Sequence, residues 1–399
     1  MKNFLFASLI ALFALMQFGC GNNIKSARYN VINLENAFEN DSKCIYLSQY
    51  AAKIEYFPLE TIDASLIGSY PSYIVNNQFV YCNYLNSKKV AVFNAQDGKF
   101  EKNLERSGRA NGEYLSCGIF NVAHNNEIII RDVKKIVRYD TLGLCVQSIP
   151  TDYYLGTGNA IIANNDNKSY FVNETLSEYL PDSDEPYLNE YCTLIDSSGV
   201  MSRIKINSRN NGFSNRFIFF SHNGHIKIIN SRRDTIFNLS SNNNISIAYT
   251  LKLGKYEYLR EFTHRSTRDY FYDPALGGVL ESDNFILLKG VLPENELPQI
   301  YTKYNYDKHC SSYILYDKKD NRTYALKKTE KYDYIGFVDD INNGMPFRPI
   351  CIAGNKMYQF INAADFMELA EQHNVPRMKE VAATLTEDSN PVMVVATLK

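Results

Sequence analysis

The chain has no tryptophan, no Cys-x-x-Cys pair, no Gly-x-Ser-x-Gly elbow and no His-Glu-x-x-His run. The last three absences leave no signature of a dithiol redox site, a serine-hydrolase elbow or a helix-borne zinc protease. Charge of one sign is also missing. The 42 basic residues face 44 acidic ones, and no Lys/Arg cluster stands out. That balance gives no electrostatic footprint for nucleic acid and no cationic patch for a lipid surface. Beyond residue 18 no apolar run approaches the roughly 20 residues of a membrane-spanning helix, so the body is read as soluble.

Tyrosine and phenylalanine are plentiful, at 30 and 23 residues. Aromatic and β-branched residues suit pleated, half-buried surfaces, and asparagine suits tight turns. From Ile54 onward short apolar runs recur between Asn, Gly, Asp and Lys turns, the first at Ile54–Leu59 and the last at Pro391–Leu398. Asn76-Asn77, Asn125-Asn126, Asn223-Gly224 and Asp283-Asn284 are two-residue hairpin signals, because these residues tolerate the positive φ of type I′ turns. Three further turns share one shape, a strand, an Asp, then Gly98, Gly143 or Gly199. These glycines lie 45 and 56 residues apart, and a period of about 40 to 50 with four short strands per unit is the signature of a β-propeller. The length after residue 54 fits six or seven such blades. Helix is scarce. Ala363–Gln372 places Phe366, Leu369 and Ala370 on one face and predicts a short helix near the C-terminus, and Tyr256–Thr267 reads as a short helix or an ordered loop.

Eight cysteines are present. Cys44, Cys82, Cys117, Cys145, Cys192, Cys310 and Cys351 sit singly inside apolar segments, and their number is odd. They read as small buried hydrophobes rather than a disulfide framework.

The eighth, Cys20, follows Lys2, an apolar run from Phe4 to Phe18, and Gly19. A charged start, an apolar h-region and a small residue before a cut make a secretory signal. A Cys directly after that small residue resembles the lipobox of bacterial lipoproteins, in which the thiol is lipidated and the preceding peptide removed. The resulting division is a signal peptide over 1–19, a lipidated Cys and polar tether over 20–50, and a propeller over 51–399.

The body resembles the six-bladed β-propeller lipoproteins of Bacteroidota, related in fold to NHL and TolB-like propellers. The residues behind the resemblance are Phe57-Pro58-Leu59-Glu60-Thr61, Val92-Phe93-Asn94 through Gly98-Lys99-Phe100, and Arg106 through Tyr114. Asp234-Thr235-Ile236-Phe237, Gly336 through Ile341 and Glu387 through Val395 complete it. The family loop reads G-x-G-P-G-E-Y, and here Ala110 and Asn111 replace its Gly and Pro. The resemblance implies an all-β fold of six four-stranded antiparallel blades and a lipid anchor in the cell envelope. Residues 21–25 carry no acidic cluster of the kind that resembles a surface-export signal, which points to the outer membrane facing the periplasm. It implies little chemistry, because a fold does not fix a function.

No reaction is named by any motif. The Gly108–Tyr114 loop lacks the Lys-Ser/Thr and helix of a phosphate loop and reads as a blade-to-blade crossover. His222 and His225 flank a tight turn, but a metal site needs three or four ligands, and neither a metal nor a cofactor is expected. Asp140-Thr141-Leu142 and Asp234-Thr235-Ile236 resemble the O-glycosylation sequence of Bacteroidota and fit strand ends equally well. The acidic loop 182–185 lacks EF-hand spacing, and Gly156-Thr157-Gly158 is a lone loop. Propellers gather loops around a channel mouth, so Arg109, Glu113, Asp339 and Asp340, in predicted crossovers and strand ends, are the candidate ligand-binding residues. The reading is a binding or scaffolding propeller for an envelope ligand or protein partner. The alternative is a hydrolase or lyase acting on glycans or peptides in the channel, where two carboxylates could work as acid and base.

Overall fold

In the computed structural model the apolar runs become six blades of four antiparallel strands, five of them laid down in chain order. The structure describes residues 30–39, 42–84, 87–132, 134–151, 161–164, 169–178, 187–199, 201–209, 217–230, 234–240, 244–260, 278–290, 298–305, 312–329, 331 and 334–399. Cys20 and the run before it, the loops 156–158 and 182–185, Cys310, His264 and His309 lie outside them.

Blade 1 comprises Ser72–Val75, Phe79–Asn83, Val90–Asn94 and Phe100–Leu104, and blade 2 Phe120–Val122, Ile128–Arg131, Lys135–Tyr139 and Cys145–Pro150. Blade 3 comprises Ile161–Ala163, Tyr170–Glu178, Tyr187–Ile195 and Met201–Arg209, and blade 4 Phe217–His222, His225–Asn230, Thr235–Leu239 and Ile245–Lys252. Blade 5 comprises Val279–Glu281, Phe285–Gly290, Ser312–Asp317 and Arg322–Leu326. Blade 6 takes three strands from the C-terminal end, Cys351–Ala353, Lys356–Ile361 and Val392–Leu398, and its outer strand, Ala51–Pro58, from the other end of the domain. That closing pair is antiparallel, with Val394 opposite Tyr56 and Val392 opposite Pro58.

The strands are apolar on both faces because each face packs on a different neighbour. Val90 and Val92 join the cluster between blades 1 and 2, whereas Ala91 and Phe93 join the cluster between blades 6 and 1. Val392, Val394 and Ala396 face blade 5, while Met393 and Val395 face blade 1. Six buried clusters result, one for each blade interface. Strand alternation therefore sorts residues between two cores rather than between core and solvent. From blade 2 through blade 6 to blade 1 the innermost strands touch in succession, and Tyr73 stacks on Phe360 across the blade 6–blade 1 seam at 3.8 Å between centroids.

The turns follow their chemistry. Gly98, Gly143 and Gly199 all have positive φ and close the third-to-fourth-strand turns of blades 1, 2 and 3. Asp140 opens one of them, its Oδ1 accepting the N–H groups of Leu142 and Leu144. Asn223 and Gly224 both have positive φ, as a type I′ turn requires. At Asn76 the turn is closed differently, by its own Oδ1 accepting the N–H groups of Gln78 and Phe79.

Residues 31–399 form one compact unit, so most of the segment read as tether belongs to the propeller. Asn30–Asn33 adds a fifth strand to the outer edge of blade 4, and Ser42–Lys43 adds one, in parallel, to blade 5. Between them helix Leu34–Glu39 buries Leu34, Ala37 and Phe38 in the blade 4–5 cluster. Next, Ile45, Leu47 and Tyr50 enter the blade 5–6 cluster, and the Tyr50 hydroxyl donates to Asp317 Oδ2 at 2.8 Å. This belt spans three consecutive blades before the chain enters the closing strand. Its apolar residues are few and irregularly spaced, which is why the segment reads as polar and unstructured.

Helix Ala363–His373 forms where predicted, capped by Asn374 in the left-handed region. Among the described residues three more α-helices accompany it, Leu34–Glu39, Gln299–Asn305 and Pro376–Ala382, and a 3-10 helix covers Gly254–Arg260. All six described cysteines are free. Burial pushes the Cys82 and Cys351 thiols up to about 12 and Cys117 to about 11. Cys145 departs from the expectation, standing exposed on the outer strand of blade 2.

Candidate functional site

The four residues predicted to line a mouth divide between two loops, and each carboxylate already has a task. Arg109 and Glu113 lie on the crossover from blade 1 to blade 2. Arg109 is exposed, whereas Glu113 turns back to accept the Ala110 N–H at 2.9 Å. A Cβ at Gly108 would meet that carboxylate, so a side chain there would push the Glu113 carboxylate off its bond to Ala110. Tyr114 is buried between blades 1 and 2, its hydroxyl 2.8 Å from the Lys88 carbonyl oxygen.

Asp339 and Asp340 lie on the crossover from blade 5 to blade 6 and point apart. Asp339 is buried, its two oxygens accepting the N–H groups of Ile341, Asn342 and Gly344 at 2.9 to 3.1 Å. Burial raises this carboxyl above the usual aspartate value, and the three N–H groups offset the shift only in part. Asp340 leaves the loop to accept the Ser48 N–H at 2.9 Å together with the Ser48 hydroxyl, which fastens the belt. Burial pushes this carboxyl up, but the Ser48 donors override it and hold it below the usual range. No hydrogen bond or ion pair joins the two loops among the described residues. Asp339→Ala is expected to cost about 3 kcal/mol, since it orphans several backbone donors at once. Asp340→Ala, at a more exposed belt contact, is expected to cost about 1 kcal/mol. Chemical denaturation of the two variants side by side checks the ranking.

The opposite end of the channel holds a charged group that motif reading passed over. The described turns from an innermost to a second strand lie at this end, and two neighbouring pairs of them are joined by side chains. Asn76 Nδ2 donates to Asn126 Oδ1 at 2.7 Å between blades 1 and 2, and Asn126 donates back to Gln78. Between blades 4 and 5, Asn223 Nδ2 and His222 Nε2 reach Asp283 Oδ1 at 2.8 and 3.1 Å. Beside them Glu281 ends the innermost strand of blade 5. Its carboxylate takes Lys227 Nζ from blade 4 and Lys318 Nζ from blade 5, each at 2.8 Å, and the Tyr249 hydroxyl of blade 4 at 2.9 Å.

Glu281 and Lys227 are almost fully buried, at 2 and 7 % side-chain exposure. Burial pushes the Glu281 carboxyl up, and its two lysine partners override this and hold it below the usual glutamate value. Burial lowers His222, which is therefore neutral at pH 7. Asp283 stays largely exposed. Two lysines face two carboxylates, so the group is charge-balanced and draws neither cation nor anion strongly. Its signal in the sequence was a charged residue within an otherwise apolar strand, Lys227 in His-Ile-Lys-Ile-Ile-Asn and Glu281 after Val-Leu. Among the described residues no three His, Cys, Asp or Glu side chains gather closely enough to hold a metal ion.

A cleft opens on the rim, where the belt meets blade 5. Val31, Asn33 and Asn36 form one wall, and Asn321, Arg322 and Thr323 form the other.

One solved structure shares this architecture clearly, and others resemble it more distantly. A candidate exported protein from Bacteroides fragilis superposes with a TM-score of 0.63 at 15 % identity, over 92 % of this chain and 99 % of that one. A member of the DUF4221 family from Bacteroides vulgatus gives 0.44 at 10 % identity, over 88 and 97 % of the two chains. The virginiamycin B lyase of Staphylococcus aureus gives 0.38 at 9 % identity, over 86 and 99 %. The first likeness establishes the six-bladed fold and nothing about chemistry. No curated protein matches the chain. One family profile does, over residues 29–397 and hence nearly the whole propeller. The chain belongs to that family, described as a domain of unknown function, DUF4934.

Proposed function

We propose that the protein is a lipid-anchored envelope propeller that binds a ligand or partner without transforming it. The observation behind this reading is the use made of its charged side chains. Glu113, Asp339, Asp340 and Glu281 are each engaged in holding a loop, the belt or a blade seam. A carboxylate in such a role stabilises the frame that presents a surface, and it is not free to exchange protons with a substrate.

The address rests on Cys20. The segment before it has the composition of a secretory signal, and the candidate exported relative of Bacteroides fragilis fits an envelope location. No described helix is long and apolar enough to cross a membrane, so attachment in this reading falls to the lipid. The wild-type protein is expected to enter the detergent-rich phase of a phase-separation assay and to incorporate labelled fatty acid. The Cys20→Ala variant is expected to do neither. A wild-type protein that stays in the aqueous phase, unlabelled, contradicts the anchor.

The catalytic alternative has one observation in its favour, the His222–Asp283 pair, in which a neutral imidazole meets an exposed carboxylate at the channel end. Glycan- or peptide-cleaving activity lost in His222→Ala would promote it to the leading reading.

A further inference from the structure

We infer that the cleft between the belt and blade 5 is a binding site for a carboxylate-bearing saccharide. The cleft has a volume of about 420 Å³, within the range of small-molecule sites. Its chemistry is concentrated. Asn33 and Asn36 project from the belt, and Asn321, Arg322 and Thr323 from the outer turn and strand of blade 5. Arg322 is exposed and makes no ion pair with any described carboxylate. A planar guanidinium with open donors matches a carboxylate in bidentate fashion.

The carboxamides decide between anions. Each offers two N–H donors and a carbonyl acceptor. Asn33 Oδ1 accepts the Asn36 N–H at 3.2 Å, and Asn321 Oδ1 accepts the Tyr316 hydroxyl at 3.0 Å. Those bonds fix both side chains with their amide donors still available. Sugar hydroxyls donate and accept at once, and so complement an amide lining. Phosphate at neutral pH chiefly accepts and would leave the acceptor of the exposed Asn36 unanswered. Val31, about half exposed, supplies an apolar contact for a ring face. The site has two walls only because the belt crosses blade 5, so belt and site form together.

This proposal rests on the reading of the protein as a binding module and says nothing about its anchor. Its failure would leave the Cys20 fractionation result untouched. The test is titration calorimetry on the full mature chain with a galacturonate trimer and with sialyllactose. The neutral methyl ester of the trimer, inorganic phosphate and an acidic tripeptide serve as controls. At least one acidic saccharide is expected to bind, and the ester of the trimer to bind no better than about tenfold more weakly than the free acid, the scale of one charge-assisted contact. Arg322→Gln is expected to cost the same tenfold with its melting temperature unchanged, because the side chain is exposed. Asn36→Ala is expected to cost several-fold. Absence of binding by both saccharides overturns the site. Equal affinity of acid and ester, full affinity in Arg322→Gln, or tighter binding of phosphate or the tripeptide overturns the ligand class.

Discussion

A chain beginning at Ala51, with the belt removed, is expected to lose its cooperative thermal transition. The belt looks dispensable in sequence, yet Ile32, Leu34, Phe38, Ile45 and Leu47 are each at most 1 % exposed in the folded protein. Burying one such side chain is worth roughly 1.5 to 3 kcal/mol, so the five together contribute on the order of 10 kcal/mol. That is an upper figure, since unfolded chains already hide some apolar surface. It still rivals the whole stability of a typical domain, about 5 to 15 kcal/mol. Truncation would also strip the outer edges of blades 4 and 5 and open two blade seams to water. Calorimetry and binding of a hydrophobic dye read this directly. A truncated chain melting within about 5 °C of the full one would show that the belt is only a covering. Leu47→Ala offers a milder version, with an expected loss of about 2 to 5 kcal/mol.

The second large effect is expected at Glu281. Glu281→Ala strands Lys227 in a seam where it is almost fully buried, and removing one partner of a buried pair typically costs about 3 to 5 kcal/mol. The double variant Glu281→Met/Lys227→Met should recover most of that loss, because a well-packed apolar pair can replace a buried ion pair at little cost. Lys318 is less buried and can turn to solvent. A double variant no more stable than Glu281→Ala alone would show that the charge pair itself holds the seam.

The same group gives the seam a pH dependence of defined sign. Glu281 and His222 both have folded pKa values below their ordinary ones. Between the folded and unfolded values the unfolded chain binds more protons, so stability falls as pH falls. The His222 contribution is complete above its unfolded value near 6.5 and is lost as pH drops below it. The Glu281 contribution is lost lower, below about 4.5. Melting temperature should therefore be level from about pH 7 to about 8, decline in two stages below that, and fall again at alkaline pH, where the unfolded chain loses thiol protons that burial holds in the folded one. His222→Gln should shrink the upper stage to the share of His373, whose pKa burial also lowers, and leave the lower one.

Much of the frame could be read from turn chemistry. The four paired Asn or Asp signals all mark first-to-second-strand turns, in blades 1, 2, 4 and 5, and the three Gly turns recur at a single place in blades 1, 2 and 3. Such turns are local, and local sequence determines them. The belt was hidden because its hydrophobic residues make sense only against blade seams formed by residues some 200 to 300 positions later. The bonding of the candidate residues was hidden for a related reason. Sequence shows a carboxylate but not the N–H groups it will meet, and Asp339 and Asp340, adjacent in the chain, serve two unrelated loops. Glu281, Lys227 and Lys318 were individually visible as charges in or beside apolar strands, while their meeting across a seam was not.

The closing strand of blade 6 also sets a clock. Pro58 pairs with Val392, so the first strand of the ring waits for almost the entire domain to be synthesised before its partner exists. Contacts so distant in sequence form slowly, because loop closure must precede any reward from pairing. Until then the apolar residues of Ala51–Pro58 and the seam-facing side of blade 1 have no cover. An exported chain with this connectivity would cross the membrane before its ring can shut, and its folding would belong to the compartment it enters rather than the one that made it.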